Sequence, residues 1–186
     1  MDVCSTSRSP HWGGGVLWGR RNRPRLLAVR LIRFAHNNVR GYLAEFLVAR
    51  AVGAQGQRVE WDAFDVLAPD GTRIEVKSSA YVQAWAQRRP SRIVFSGLTA
   101  RTWTPQDGAS PTATFNADVY VFAVQTAKTQ DEYDPFDVGQ WSFYAPGRRV
   151  VQQLGYRSLS LSTLRRVTTA VSYVHLANAI ESAAAG

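Results

Sequence analysis

The chain has 186 residues, of which 45% are hydrophobic and 19% charged, and its 22 basic and 14 acidic residues give a net charge of +8. This length suits one domain, or one domain with a tail, rather than two full-sized domains. No apolar run approaches the roughly 18 residues of a membrane-spanning helix, and a single cysteine excludes a disulfide framework. We therefore expect a globular protein outside the membrane, and the low cysteine content favours a cytoplasmic one.

The positive charge is concentrated at the front of the chain. Residues 1–40 carry eight arginines against Asp2, whereas residues 41–186 have a net charge of only +1. Serine, proline and a run of three glycines predict a flexible basic tail over residues 1–24, followed by a single domain over residues 25–186. No apolar stretch with a small-residue cleavage site follows the early arginines, so we predict no signal peptide.

Helical spacing predicts two helices before the first strand. A short basic amphipathic helix is expected at 25–35, and a stronger helix at about 38–52 ends at Gly53. Two strands follow at about 58–67 and 72–79, joined through a turn at 69–71. The predicted apolar stripe of the second helix consists of Val39, Tyr42, Leu43, Phe46 and either Val48 or the aliphatic stem of Arg50.

The second half of the chain alternates strands with loops and short helices. The predicted elements are a strand at 92–97, a long loop at 101–116, a strand at 118–126, an acidic loop at 128–139, a strand at 140–145, a short helix after Pro146 and a terminal helix at about 172–184. The strand at 118–126 is apolar on both faces, which is typical of the middle of a sheet. Helices before and after a central sheet indicate a layered α/β or α+β domain.

The hairpin around Pro69-Asp70-Gly71 carries the most chemical information. With these three residues as its loop, partners on the two strands have residue numbers that sum to 140. Alternation then places four apolar residues on a core face and three charged residues on the other face. The predicted pairs are Asp65 with Glu75, Phe64 with Val76 and Val66 with Ile74, and Lys77 shares the charged face with Asp65 and Glu75.

Two carboxylates that face each other across strands repel, and a divalent cation is the simplest explanation for such a pair. Hard oxygen ligands of this kind hold Mg²⁺ and leave coordination positions for water and a phosphate. Lys77 would then stabilise charge or orient the attacking water. The alternative is a solvent-facing strand in which Lys77 only balances the two acids. The chain uses twenty arginines and only two lysines, Lys77 and Lys128, which hints that Lys77 does what arginine cannot.

These residues resemble the motif of the PD-(D/E)xK nuclease superfamily, which has the restriction-endonuclease-like fold. The resemblance covers residues 38–99, with Glu45 in a helix, an acid at Asp65 in a strand and the tripeptide Glu75-Val76-Lys77 in the next strand. It implies a central mixed β-sheet flanked by helices and a Mg²⁺ site at Asp65 and Glu75, completed by Glu45, with Mn²⁺ as a substitute ion. It also implies that Lys77 assists the attacking water.

The match to this motif has departures and open alternatives. The usual Pro-Asp dipeptide is absent at Phe64-Asp65, and Asp62 is a competing acid that strand alternation places on the opposite face. Gln83 follows Lys77 by six residues, and glutamines beyond the tripeptide line some sites of this superfamily. Ordinary surface roles for Glu45 and Gln83 stay open.

A basic segment follows the hairpin and adjoins two tryptophans, Trp85 and Trp103. A positively charged stretch without acids suits contacts to nucleic-acid phosphates, which position a substrate without reading its sequence. Exposed arginines beside tryptophans of the core would give the same pattern. The arginines are Arg88, Arg89, Arg92 and Arg101.

The sequence therefore predicts a Mg²⁺-dependent nuclease that hydrolyses phosphodiester bonds of nucleic acid, with DNA favoured over RNA and an endonuclease over an exonuclease. The alternative is a non-catalytic nucleic-acid-binding or assembly module that keeps the nuclease fold. The presence of Asp65, Glu75 and Lys77 favours the enzyme. Many members of the superfamily dimerise to cut two strands, so the resemblance also leaves a homodimer open.

Overall fold

The computed structural model describes residues 36–55 and 63–186, which form a mixed α/β architecture. Its helices are α1 Asn37–Ala51, α2 Arg148–Leu154, α3 Leu161–Leu164 and α4 Leu176–Ala184. Its strands are β1 Val66–Leu67, β2 Arg73–Ala80, β3 Val94–Ser96, β4 Trp103–Thr104, β5 Gly108–Ala109, β6 Val119–Gln125, β7 Trp141–Tyr144 and β8 Ser158–Ser160. Short 3₁₀ helices lie at Val138–Gln140 and Tyr173–His175.

The central sheet has four strands in the order β1-β2-β6-β7 and is mixed in direction. Strand β2 is antiparallel to β1 and parallel to β6, while β6 is antiparallel to β7. All seven residues of β6 are buried, because β6 has neighbours on both sides and packed layers on both faces. The buried strand predicted at 118–126 is therefore confirmed.

Helices α1 and α4 cover one face of the sheet. Ala44 and Val48 of α1 pack with Ile74 of β2 and Leu176 of α4 in one apolar cluster. The helix predicted at 38–52 is confirmed, and Gly53, whose φ is +68°, ends it in the left-handed region that glycine adopts readily.

The predicted apolar stripe of α1 is wrong for three of its residues. Leu43 and Val48 pack with the core, whereas Tyr42 and Phe46 are largely exposed and Val39 is 36% exposed. The helix carries large apolar residues on two faces, so its periodicity alone cannot choose between them. Instead, α1 packs on the sheet with the face that includes Ala44, because this small side chain allows the helix to lie close to the strands.

A second layer covers the other face of the sheet. The pair of strands β3 and β8, with α2 and α3, encloses the side chains that β6 and β7 direct to this side. Phe95 of β3 meets Phe122 of β6 edge-on, with 5.0 Å between ring centroids. The residues of this second cluster include Tyr120, Phe122, Tyr144, Val151, Leu159 and Leu164.

Several other predictions can be compared with this structure. The strands predicted at 72–79, 92–97 and 140–145 and the helix after Pro146 are confirmed. The loop predicted at 101–116 contains the small β4–β5 ribbon, and β8 and α3 were not predicted. The tail at 1–24, the helix at 25–35 and the first residues of the strand at 58–67 lie outside the described ranges. Among the helices of the described ranges, none is long and apolar enough to cross a membrane.

An ion-pair network ties the amino-terminal ends of β2 and β6 to α2. Asp118 accepts hydrogen bonds from the backbone and guanidinium nitrogens of Arg73, at 2.8–3.0 Å, and also pairs with Arg148. Hydrogen bonds from Arg73, together with the charges of both arginines, hold the pKa of Asp118 below its usual value although partial burial opposes this shift. The network therefore fixes the start of the parallel β2–β6 pair.

Candidate functional site

The turn that sets the hairpin register forms as predicted. The backbone N–H of Gly71 donates to the carbonyl of Ala68, and Gly71 has a φ of +89°. The backbone N–H of Thr72 donates to Oδ1 of Asp70 at 2.9 Å, as in an Asx turn. Val66 pairs with Ile74, which confirms the predicted register at this position.

The strand before the turn is shorter than predicted, and Asp65 precedes it in a bend. The regular ladder stops at Val66 and Ile74, so the predicted strand pairs of Asp65 with Glu75 and of Phe64 with Val76 do not form. The Asp65 backbone N–H donates to the carbonyl of Ile74 at 3.0 Å, one residue out of register. This bend breaks the two-residue alternation.

The bend changes the surroundings of Phe64 but keeps Asp65 at β2. Phe64 packs against the second-layer cluster instead of the cluster that contains Val66, Ile74 and Val76. Oδ2 of Asp65 accepts a hydrogen bond of 2.8 Å from the backbone N–H of Val76, the peptide group that follows Glu75. The Asp65 carboxylate is thus anchored beside the Glu75 backbone by a side-chain bond rather than by strand pairing.

Glu75 and Lys77 lie on the face of β2 that the second layer covers. Their partners on the parallel strand are Tyr120 and Phe122, two residues of the second cluster. Nζ of Lys77 lies 2.5 Å from Oε1 of Glu75, and the two side chains are only 25% and 14% exposed. A Cβ placed on Gly97, just after β3, would lie 3.9 Å from this Nζ. The ion pair is therefore half-buried between β2 and the end of β3.

The charge of Glu75 also affects the pKa of Tyr120 on the neighbouring strand β6. Burial raises the pKa of Tyr120 to about 12, and the Glu75 carboxylate contributes to this increase. Tyr120 is therefore a buried aromatic neighbour of Glu75 on the adjacent strand. Nothing in the sequence identified Tyr120 or Gly97 as neighbours of the pair, because the parallel β2–β6 register and the position of β3 depend on distant parts of the chain.

Glu45 is half-buried on α1, next to Ala44 of the core. Helix α1 covers the face of the sheet that Ile74 and Val76 occupy, opposite the face of Glu75 and Lys77. Within residues 36–55 and 63–186, no group of three or more His, Cys, Asp or Glu side chains is placed to hold a metal ion. Ligation of a metal by Glu45 stays a prediction, and the competing acid Asp62 lies outside the described residues.

Gln83 lies three residues beyond the end of β2, and its side chain is buried. Its Nε2 donates to the carbonyl of Ala80 at 3.0 Å, and its backbone N–H donates to Oε1 of Gln87 at 2.7 Å. Its Oε1 is buried and has no hydrogen-bond partner among the residues that the structure describes. These contacts anchor the loop after β2, while the predicted role of Gln83 in catalysis stays a prediction.

The basic segment is at the surface, and so are its tryptophans. Trp85 is 57% exposed and Trp103 is 52% exposed, so the alternative of arginines beside core tryptophans is wrong. All four predicted contact residues are exposed, and within the described part of the chain none of them forms an ion pair with a carboxylate. These residues are Arg88, Arg89, Arg92 and Arg101. The segment therefore presents exposed positive charge, without a carboxylate partner in residues 36–55 and 63–186, beside exposed aromatic rings.

A scan against protein-family models matches residues 33–163, well over half of the chain, to the model of bacteriophage T4 endonuclease IV. The chain belongs to the bacteriophage T4 endonuclease IV family. Every candidate residue from Glu45 to Arg101 falls within the match to the endonuclease IV model, and membership of this family supports the predicted nuclease. A search of curated proteins finds no match.

Proposed function

We propose that the chain is a Mg²⁺-dependent endonuclease that hydrolyses phosphodiester bonds of DNA. We further propose that its mixed sheet is the restriction-endonuclease-like core of a PD-(D/E)xK nuclease. Membership of the endonuclease IV family supports the reaction class. The observation that carries the proposal is the half-buried Lys77–Glu75 pair, together with the Asp65 carboxylate that accepts a hydrogen bond from the backbone N–H of Val76, the residue between Glu75 and Lys77.

The donor chemistry of these residues fits Mg²⁺. Asp65 and Glu75 offer carboxylate oxygens, the hard ligands that this ion prefers, from the bend before β1 and from β2. Mg²⁺ is commonly held by one or two carboxylates together with water and substrate phosphate, so two protein ligands suffice. When bound, Mg²⁺ or Mn²⁺ would supply positive charge for the phosphoryl oxygens and lower the pKa of a coordinated water.

The role of Lys77 follows from its surroundings. In hydrolysis, a water oxygen loses a proton and bonds to phosphorus, while the bond from phosphorus to a sugar oxygen breaks and that oxygen takes up a proton to become a hydroxyl. Negative charge increases on the phosphoryl oxygens in the transition state. An ammonium held at one position by Oε1 of Glu75 would orient that water and stabilise that charge. Because Lys77 is largely shielded from solvent, its electrostatic interactions are stronger than at an open surface.

The exposed arginines support a polyanionic substrate. Arg88, Arg89 and Arg92 follow the strand that carries Lys77 and lack carboxylate partners among the described residues. Such cations bind phosphates by releasing counterions, without discriminating between sequences. We propose DNA as the substrate because the family to which the chain belongs is named for an endonuclease of bacteriophage T4.

The proposal is tested by incubating the purified protein with supercoiled circles, linear duplexes, single strands and RNA, each with Mg²⁺, with Mn²⁺ or with EDTA. We expect metal-dependent nicking of closed circles, which have no ends for an exonuclease. Asp65→Asn and Glu75→Gln should abolish cleavage, since each removes ligand charge at nearly constant size. Asp131→Asn, a change at an exposed acid of the 128–139 loop, is the matched control and should cleave normally.

Different outcomes refute different parts of the proposal. Full cleavage by either site variant would remove that residue from the site, and full activity in EDTA would refute the metal requirement. Tight nucleic-acid binding by a wild-type protein that cleaves none of these substrates would favour the binding module instead.

A further inference from the structure

The loop that follows β2 is closed and internally braced. The backbone N–H of Ser91 donates to the carbonyl of Tyr81 at 2.8 Å, which joins the two ends of the loop. Inside it, Oε1 of Gln87 accepts from the backbone N–H of Gln83 at 2.7 Å, and Nε2 of Gln87 donates to Oγ of Ser91 at 2.9 Å. The side chain of Gln87 therefore links the backbone of Gln83 to the side chain of Ser91 and braces the loop from inside.

This braced loop, residues 81–91, presents an aromatic ring and positive charge to solvent. Trp85 is 57% exposed at its tip, and the exposed Arg88 and Arg89 follow it. The loop contains no acidic residue. Singly exposed apolar residues are common, but here an exposed indole is held on a braced loop beside two exposed arginines, a combination that suits a partner with flat aromatic faces and negative charge.

The braced loop begins on the same side of the sheet as the candidate site. Tyr81 directly follows β2 and packs against the second-layer cluster, which covers the face of β2 that carries Lys77. At about 3.3 Å per residue, Tyr81 lies roughly 13 Å along the chain from Lys77. One DNA strand rises about 3.4 Å per nucleotide, so a strand cleaved beside Lys77 spans the distance to the start of the loop in about four nucleotides.

We propose that Trp85 stacks on a nucleobase of the bound strand, a few nucleotides from the scissile phosphate, while Arg88 and Arg89 contact the adjoining phosphates. Aromatic side chains beside cations form stacking platforms that accept any base, because every base has a flat face. Gln87 is a positioning residue that holds the platform in place before the substrate binds. The inference rests on the proposed nuclease function and adds to it a residue that contacts bases.

The test measures the affinity of the protein for fluorescently labelled DNA oligonucleotides. EDTA is present to prevent metal-dependent cleavage, so that binding is measured separately from the reaction. Trp85→Ala should weaken binding at least about fivefold, the lower range for loss of one base–aromatic stack. Trp85→Phe should keep most of the affinity because it keeps a ring. Phe136→Ala is the matched control, because Phe136 is also 57% exposed but lies in the acidic loop, and it should bind as wild type does.

A scan with abasic nucleotides distinguishes stacking from general packing. With an abasic nucleotide at the contacted position, wild type and Trp85→Ala should bind equally, because the base is already missing. Gln87→Ala should weaken binding in the wild-type background and add little in the Trp85→Ala background, which a purely structural role would not produce. Circular dichroism confirms that each variant is folded.

The outcomes separate this inference from the proposed function. If wild type binds and cleaves but Trp85→Ala binds equally well, the stacking role is overturned and the nuclease proposal stands. If the loss in Trp85→Ala persists at every abasic position, stacking on a base is likewise refuted. If wild type neither binds nor cleaves nucleic acid, the proposed function fails, and this inference fails with it.

Discussion

The Lys77→Arg variant tests whether cleavage requires the ammonium group of Lys77 or only a positive charge at this position. The arginine side chain keeps the charge, but its guanidinium is planar, larger and effectively always protonated. In the structure, Nζ of Lys77 is held 2.5 Å from Oε1 of Glu75. The longer, planar guanidinium cannot place its charge at the position of this ammonium while keeping the same contact with Glu75.

We expect Lys77→Arg to fold and to bind nucleic acid but to cleave at least about tenfold more slowly, which corresponds to roughly 1.4 kcal/mol of lost transition-state stabilisation. Single-turnover cleavage at saturating enzyme measures this effect, since it separates the chemical step from binding. Lys77→Ala should cleave no faster than Lys77→Arg.

The other lysine of the chain provides a matched control. Nζ of Lys128 lies 3.5 Å from the centroid of the Tyr81 ring and is exposed, and arginine stacks well on aromatic faces. Lys128→Arg should therefore cleave at the wild-type rate. If Lys77→Arg also cleaves at that rate, Lys77 is only a counter-charge for Glu75, and the reasoning about the attacking water is refuted.

Three further predictions concern the tail, the competing acid and the ion-pair network. Deleting residues 1–24, with their net charge of +3, should weaken binding to unrelated duplexes alike and flatten its salt dependence in titrations, whereas an unchanged salt slope would exclude tail contacts. Asp62→Asn should reduce single-turnover cleavage less than Asp65→Asn, and the reverse order would reassign the essential acid. Asp118→Asn should lower the free energy of unfolding at pH 7 by about 1–2 kcal/mol in urea titrations, discounted for partial exposure. Because the folded-state pKa of Asp118 is depressed, this difference should shrink as the pH falls below the ordinary aspartate value of about 3.9, and a difference independent of pH would contradict the electrostatic role.

The sequence by itself determined the features that depend on neighbouring residues. The turn at Pro69-Asp70-Gly71 set the register of Val66 with Ile74, because a turn of given length and backbone conformation admits one pairing. The continuous apolar run at 119–124 identified the central strand, because a strand covered on both faces has no polar side. The bounds of α1 followed from its periodicity and from the glycine after its end.

The tertiary structure decided the features that depend on packing between distant segments. Large apolar residues on two sides of α1 left its rotation open until the sheet selected the face with Ala44. The bend at Asp65 replaced strand pairing with a side-chain bond to Val76, which residue alternation cannot anticipate. Trp85 lies at the surface on a loop that Gln87 braces, and short-range sequence patterns do not show whether an aromatic ring contacts solvent or the core. Turn hydrogen bonds and strand alternation depend on consecutive residues, so the sequence predicts them. The exposure of a side chain, the rotation of a helix and the partners of a strand depend on how distant segments pack together.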